Sequence, residues 1–307
     1  MSIIVGTVIS ALLHSSSAIT VISISLVRAG LMGLMQAIGI TIGANIGTCV
    51  TSIMIGLNIE QFSYYFVFIG VLITFVAKRK KMNYIGKVLI GFGMIFIGLE
   101  TMSGQLVEMS KEVWVTNVML ILGKQPWFAL IGATIVTGIM QSSTAVIGGV
   151  QKLYVVGLIT PAPGAAFIFG ANVGTCMTAL IAAAGGSLPT KRAAWFHAVY
   201  NLFGALLGMT LLTPFVNLTN YITQLLNGSG EMYIAQAHLI FNIISTILII
   251  PIVKQSVKLL EKIIPGETNK DLKIENIDNL DDSLIERFPV AALAIAKKIL
   301  FEWEEMY

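Results

Sequence analysis

Charge is the first thing this chain of 307 residues lacks. Asp, Glu, Lys and Arg make up 11% of it, while hydrophobic residues make up 56%; an ordinary soluble domain carries about 25% charged residues. So few charges cannot cover a water-facing surface. That excludes a soluble globular domain and requires an integral membrane protein. The net charge is only +3, with the basic residues gathered at the ends of apolar segments, which excludes a nucleic-acid-binding surface. Cysteine is almost absent. Cys49 and Cys176 each follow a Gly-Thr pair, in matching surroundings, and read as small packing residues rather than a disulfide or a metal site. There are three histidines. His197 and His238 each stand four residues before an Asn, on one helix face; a metal pair is conceivable, and hydrogen bonding within or between their helices is the plainer reading. The N-terminus is apolar from its start, without a basic stretch or a cleavage site, so no signal peptide is expected.

What is present is a set of apolar segments, approximately 2–27, 31–57, 62–77, 84–100, 127–158, 161–185, 193–216 and 233–253. Most are near the ~20 residues a membrane helix needs. Glu108 and Glu112 fall outside them and read as a solvated face. After Ile264 the chain turns polar over 265–287, and 290–307 has the pattern of a short amphipathic helix.

Two stretches repeat one another. His14-Ser15-Ser16-Ser17-Ala18 and Gly43-Ala44-Asn45-Ile46-Gly47-Thr48-Cys49 match Gln141-Ser142-Ser143-Thr144-Ala145 and Gly170-Ala171-Asn172-Val173-Gly174-Thr175-Cys176. One shift of about 127 residues superposes both parts without a gap. Polar groups inside apolar segments are costly unless satisfied, and they mark solute pathways.

Basic clusters constrain the topology. Lys78-Arg79-Lys80-Lys81, Lys191-Arg192 and Lys254, Lys258, Lys262 should all be cytoplasmic. Single crossings by every segment violate this. If 127–158 enters and returns on one side as a re-entrant hairpin, all three clusters fall inside. By repeat equivalence 2–27 is also a hairpin, and an odd number of crossings separates the two, so they enter from opposite sides. The fold class expected is therefore an all-α integral membrane protein of inverted repeats, each with a re-entrant helical hairpin and a broken transmembrane helix. The division expected is 1–57 for the first repeat, 58–126 for linking helices and an extracellular segment, 127–185 for the second repeat, 186–264 for C-terminal helices and 265–307 for a cytoplasmic tail.

At a hairpin tip the backbone leaves the helix, and its freed N–H groups attract anions. The hydroxyls of Ser15, Ser16, Ser17, Ser142, Ser143 and Thr144 donate to anionic oxygen and can also accept a cation. They suit a small tetrahedral oxyanion held without a fixed positive charge. Interhelical bonding is the plainer use of such hydroxyls in a single copy. Gly43, Gly47, Gly170 and Gly174 permit unwinding or close packing. Unwound carbonyls, with Asn45, Thr48, Thr51, Asn172, Thr175 and Thr178, would supply oxygen ligands for a small cation such as sodium.

The duplicated Gln-Ser-Ser-Ser type motif, each copy followed by Gly-Ala-Asn-x-Gly-Thr, resembles the type II sodium/phosphate cotransporter family. So do Gly91-Phe92-Gly93-Met94-Ile95-Phe96-Ile97-Gly98-Leu99 and the pair Arg192-Ala193-Ala194-Trp195-Phe196-His197-Ala198-Val199-Tyr200-Asn201 and Ala237-His238-Leu239-Ile240-Phe241-Asn242. The likeness runs from residue 1 to about 260. It implies sodium:phosphate symport by alternating access in the plasma membrane, with inorganic phosphate and sodium as partners, no enzymatic cofactor and no metal beyond sodium; a homo-oligomer is left open. The hairpin hydroxyls would contact phosphate, and Gln141, the hairpin hydroxyls and the Asn/Thr positions would share the sodium sites. Three departures stand out. His14 occupies the place of the family's Gln, the chain opens inside the first hairpin, and 278–307 resembles only the opening helix of a PhoU-like domain. Other readings are another oxyanion, proton coupling through His14, a non-transporting partner subunit, and an intramembrane serine hydrolase.

Overall fold

The computed structural model describes residues 1–228 and 230–266, and every regular element among them is helical. The expected helix over 290–307 lies outside the described residues. The chain opens with α1 (Ser2–Leu13) and α2 (Ser16–Arg28), joined by a sharp turn, and continues into α3 (Leu34–Gly56). Then α4 (Ser63–Val76) and α5 (Lys80–Met109) form an antiparallel pair, with Gly70 against Gly86 and Gly93 against Ser63. Next, α6 (Val113–Lys124) meets α7 (Pro126–Met140) at a bend of 118°. From α7 the chain returns through α8 (Ser143–Val155) into α9 (Pro161–Ala183). Then α10 (Leu188–Thr210) bends by 87° into α11 (Leu212–Leu225), and α12 (Gly230–Ile249) and α13 (Val253–Ile263) close the described chain.

Among the described residues five helices, or up to seven if each bent pair is one span, are long and apolar enough to cross a membrane. Length separates two classes. α3 and α9 have 23 residues each, about 34 Å of helix, enough for the ~30 Å hydrocarbon layer. α1, α2, α7 and α8 have 12, 13, 15 and 13 residues, about 18–22 Å, and fall short of it.

Each short pair is built against a long helix in the same way. α1 runs beside α3 in the same direction, with Gly43 against Ile3 and Gly47 against Thr7 and Ser10. Likewise α7 runs beside α9, with Gly170 against Leu130 and Gly174 against Thr134 and Thr137. A Cβ on Gly43 or Gly170 would strike the carbonyl oxygen of Ile3 or Leu130, and one on Gly174 would come within 2.6 Å of Thr134 O. The approach lets Thr7 Oγ1 donate to Gly43 O at 3.1 Å and Thr134 Oγ1 donate to Gly170 O at 3.2 Å. Small residues at close crossings and interhelical hydroxyl bonds are how helices associate in lipid, where burial of apolar surface drives little.

This corrects the expectation of a broken transmembrane helix in each repeat. α3 and α9 run unbroken through Gly43, Gly47, Gly170 and Gly174. Their glycines serve close packing, and their carbonyls stay within helical turns. Two further differences concern extent. α5 continues past residue 100 to Met109, and the stretch expected as an extracellular segment holds α6. The segment expected as one span at 193–216 breaks between Thr210 and Leu212.

The glycine contacts predict an asymmetric response to a single methyl. Gly170→Ala should lower stability by about 1–3 kcal/mol, the usual cost of overpacking. Gly91→Ala, where nothing lies within 4 Å, should leave it unchanged. Thermal unfolding of both variants in one detergent checks this.

Candidate functional site

The turns between the short helices coincide with the duplicated serine motif. His14 closes α1 in the left-handed region at φ 53°, ψ 26°, and Gln141 closes α7 at φ 55°, ψ 25°. Neither is glycine, so both copies hold a conformation that a side chain disfavours. What holds it is the next residue. Ser15 (φ −149°) and Ser142 (φ −140°) are extended and cap the following helices. Ser15 Oγ accepts from Ala18 N–H at 3.2 Å, and Ser142 Oγ accepts from Ala145 N–H at 3.3 Å. A serine cap satisfies one of the donors exposed at a helix start. The N–H groups of Ser16, Ser17, Ser143 and Thr144 have no intrahelical partner by helix geometry. Ser16 and Ser143 are buried, and Ser17 and Thr144 are half-buried beside them. Each turn therefore offers N–H and hydroxyl donors at the positive end of a helix dipole inside an apolar bundle.

The Asn and Thr positions fall on the buried faces of α3 and α9, and the two halves use them differently. Asn45 Nδ2 donates to Asn201 Oδ1 at 2.8 Å, whereas Asn172 Nδ2 donates to Ile168 O at 2.9 Å on its own helix. Thr48 and Thr175 both bond back to the carbonyls of Ala44 and Ala171 at 2.8 Å. Thr51 Oγ1 lies 2.7 Å from His14 Nδ1. Its counterpart, Thr178 Oγ1, is buried without a hydrogen-bond partner. The Gln141 side chain is exposed.

The histidines of α10 and α12 line the same interior. Asn201 Nδ2 donates to His197 O at 3.1 Å and to Cys176 Sγ at 3.3 Å. Asn242 Nδ2 donates to His238 O at 2.9 Å and to Cys49 Sγ at 3.4 Å. So each Asn four residues beyond a His ties its own helix to the cysteine of a long repeat helix, and both cysteines are free thiols. Ser52 Oγ lies 3.1 Å from His238 Nδ1. The matching position is Ala179, and both ring nitrogens of His197 are buried without a partner. Among the described residues no group of three or more His, Cys, Asp and Glu is placed to hold a metal.

A family model described as Na+/Pi-cotransporter matches residues 1–104 and 106–236. The chain belongs to the Na+/Pi-cotransporter family. Among its relatives, the uncharacterised protein YqeW of Bacillus subtilis strain 168 is 28% identical over 264 residues, 86% of this chain and 84% of YqeW. The YjbB proteins of Salmonella typhimurium and Escherichia coli K12, whose names propose inorganic phosphate export, are each 26% identical over 297 and 294 residues. The chain spans about half the length of those YjbB proteins, 53% in both cases. No solved structure gives a significant match.

Four residues of this family member escaped the sequence reading. Gln151, fully buried on α8, donates from Nε2 to Ser52 O and to Glu231 O, each at 3.0 Å. Lys152 beside it pairs with Glu60, in the turn after α3, and with Glu231 at the start of α12, the latter at 2.9 Å. All three ionised side chains are about one-eighth exposed, at 13%. A signal was there to find, since Lys152 is the lone charge in the apolar segment 127–158 and such a residue has a partner. Removing it strands two carboxylates. Lys152→Met should cost about 3 kcal/mol, as when one member of a buried pair is deleted. Lys111→Met, in a pair whose side chains are 64% and 65% exposed, should cost under about 1 kcal/mol. Parallel unfolding curves test the contrast.

Proposed function

We propose that this protein moves inorganic phosphate across the membrane in symport with sodium, by exposing a site between the two serine turns alternately to each side. The observation that carries this reading is the duplicated turn, with a capped helix start, two free N–H groups and adjacent hydroxyls in each half. Such neutral donors match the oxygens of a tetrahedral oxyanion, and family membership and the names of the YjbB relatives favour phosphate as that oxyanion. Ser15, Ser16, Ser17, Ser142, Ser143 and Thr144 are assigned to phosphate. Gln141 and the side-chain oxygens of Asn172, Thr175 and Thr178 are assigned to sodium, with Asn45, Thr48 and Thr51 as their counterparts in the first half. These oxygens would act without help from unwound carbonyls, because α3 and α9 are continuous.

Contacts between elements support an inverted arrangement. α1 follows the direction of α3, and α7 that of α9. The Lys152–Glu60 pair brings the end of α8 to the end of α3. The first short pair then opens toward the start of α3 and the second toward its end, on opposite sides of the layer. Arg192 supports the same reading. Its guanidinium donates to Ile264 O and Gly266 O at 3.0 and 3.1 Å, which joins the start of α10 to the end of α13 on the side of the basic clusters. A transporter with its site between such repeats needs no large loop to close over the solute.

Sodium neutralises the anion and lets phosphate leave water for a site without a fixed cation. The direction of net flux then follows the gradients. The names of the YjbB relatives favour a second reading in which phosphate moves outward, and its sodium-independent form is the rival to symport. Proteoliposomes separate the two. The symport reading expects uptake of radiolabelled phosphate under an inward sodium gradient and none when choline replaces sodium; equal flux in both sinks it. Replacing Ser142 and Ser143 by Ala removes donors worth about 1.5–3 kcal/mol each toward a charged ligand. That double variant should lose more than about tenfold in phosphate affinity while remaining folded.

A further inference from the structure

The two halves share backbone geometry at the turn but not the state of the oxygens around it. In the first half every equivalent group is satisfied by protein. Thr51 Oγ1 meets His14 Nδ1 at 2.7 Å, Ser10 Oγ donates to Ala44 O at 2.9 Å, and Asn201 Oδ1 accepts from Asn45. In the second half the counterparts are open. Thr178 Oγ1, Thr137 Oγ1 and Asn242 Oδ1 are buried without a hydrogen-bond partner, and Thr137 and Asn242 are fully buried residues. Thr137 and Thr178 follow from Ser10 and Thr51 by the repeat shift, and Asn242 matches Asn201 because each bonds a repeat cysteine and the carbonyl of its own histidine. Buried oxygens are costly to leave unpaired. Thr178 is the counterpart of the threonine that meets the turn residue in the first half, and an unpaired neutral hydroxyl at a turn whose residue also carries an amide oxygen is the ligand type a small hard cation takes.

We propose that His14 takes the place of a coupling cation in the first half, so that a sodium ion is held at this position in the second half alone. The proposal rests on the sodium-coupled reading above. Gln141 brings an amide oxygen to the turn, whereas His14 brings a ring nitrogen that bonds the very hydroxyl a cation would use. The ring is also held in place. It lies 5.6 Å from the Phe92 ring, which packs on Phe66 and Phe96 at 5.1 and 4.9 Å. The first half lacks the amide oxygen that Gln141 carries, and its threonine hydroxyl is engaged by the ring where that of Thr178 is unpaired. The difference is one of ligand chemistry at a single position, because the backbone angles at His14 and Gln141 agree within a few degrees.

The test counts sodium ions directly. Equilibrium binding of radioactive sodium to the purified chain in detergent is measured to saturation for wild type, His14→Gln and Thr178→Val. His14→Gln installs the residue that the second half already tolerates at the same backbone angles. It should bind one more sodium per chain than wild type, and Thr178→Val one fewer. A His14→Gln count equal to wild type, a Thr178→Val count equal to wild type, or no saturable sodium in wild type overturns the proposal. Melting temperatures establish that each variant counted is folded. Phosphate flux is measured on the same preparations. Its absence from wild type would remove the transport reading, while the sodium counts still decide the role of His14.

Discussion

The whole arrangement depends on close approach of backbone to backbone where α1 crosses α3 and α7 crosses α9. In lipid, apolar side chains gain little by moving from acyl chains to other side chains, so a short helix stays in place only through tight packing and hydrogen bonds. Gly43 and Gly170 leave room for the carbonyls of Ile3 and Leu130. The same approach brings Thr7 and Thr134 within reach of the facing carbonyls. With the short helices seated, their ends are fixed, and with them the left-handed residues His14 and Gln141 and the serine caps that follow. The donors of the two turns are presented by a backbone that the glycines position.

Around this shared frame the two halves have been made unequal. The first half ends its turn in a histidine bonded to Thr51, and the second leaves Thr178 without a partner. Ser52 answers His238, while Ala179 gives His197 nothing to bond. The second arms differ too. Ile24 on α2 packs among Ala179, Ala183, Ala193 and Ala194, but the matching position on α8 is Gln151, followed by the doubly paired Lys152. One short pair is fastened by apolar contact and the other by buried hydrogen bonds and ion pairs. Apolar contacts slide at small cost, whereas a buried ion pair must be replaced by water or another partner when it parts. Parting the second arm from α3 and α12 breaks directional contacts that parting the first from α9 does not.

Much of this was legible in the residues. The turns at His14-Ser15 and Gln141-Ser142 could be read because duplication separated pattern from accident, and because serine capping acts within four residues. Span positions followed from hydropathy for the same local reason. The glycines of α3 and α9 leave unwinding and close packing open in the sequence, and the broken helix expected there is absent. Glycine serves both uses equally well, and only the neighbour that fills the space decides between them. The end of α5 and the whole of α6 were not expected, because Glu108 and Glu112 mark the end of an apolar run and the 12 residues of α6 are too few to span alone. The Lys152 cluster was missed because its partners stand about 80 and 92 residues away.

By itself the sequence determined the class of protein, where its apolar segments lie, the duplicated serine turn and the family it belongs to. These rest on composition, on hydropathy over ~20 residues and on hydrogen bonds that close within one helical turn. Tertiary structure decided what each polar group faces: His14 on Thr51, Asn45 on Asn201, Gln151 on Ser52 and Glu231, and the Oγ1 atoms of Thr178 and Thr137 and the Oδ1 of Asn242 without a hydrogen-bond partner. A residue's donors and acceptors are set by its type, but whether they are satisfied depends on a helix packed from elsewhere in the chain, and that partner exists only once the bundle has formed.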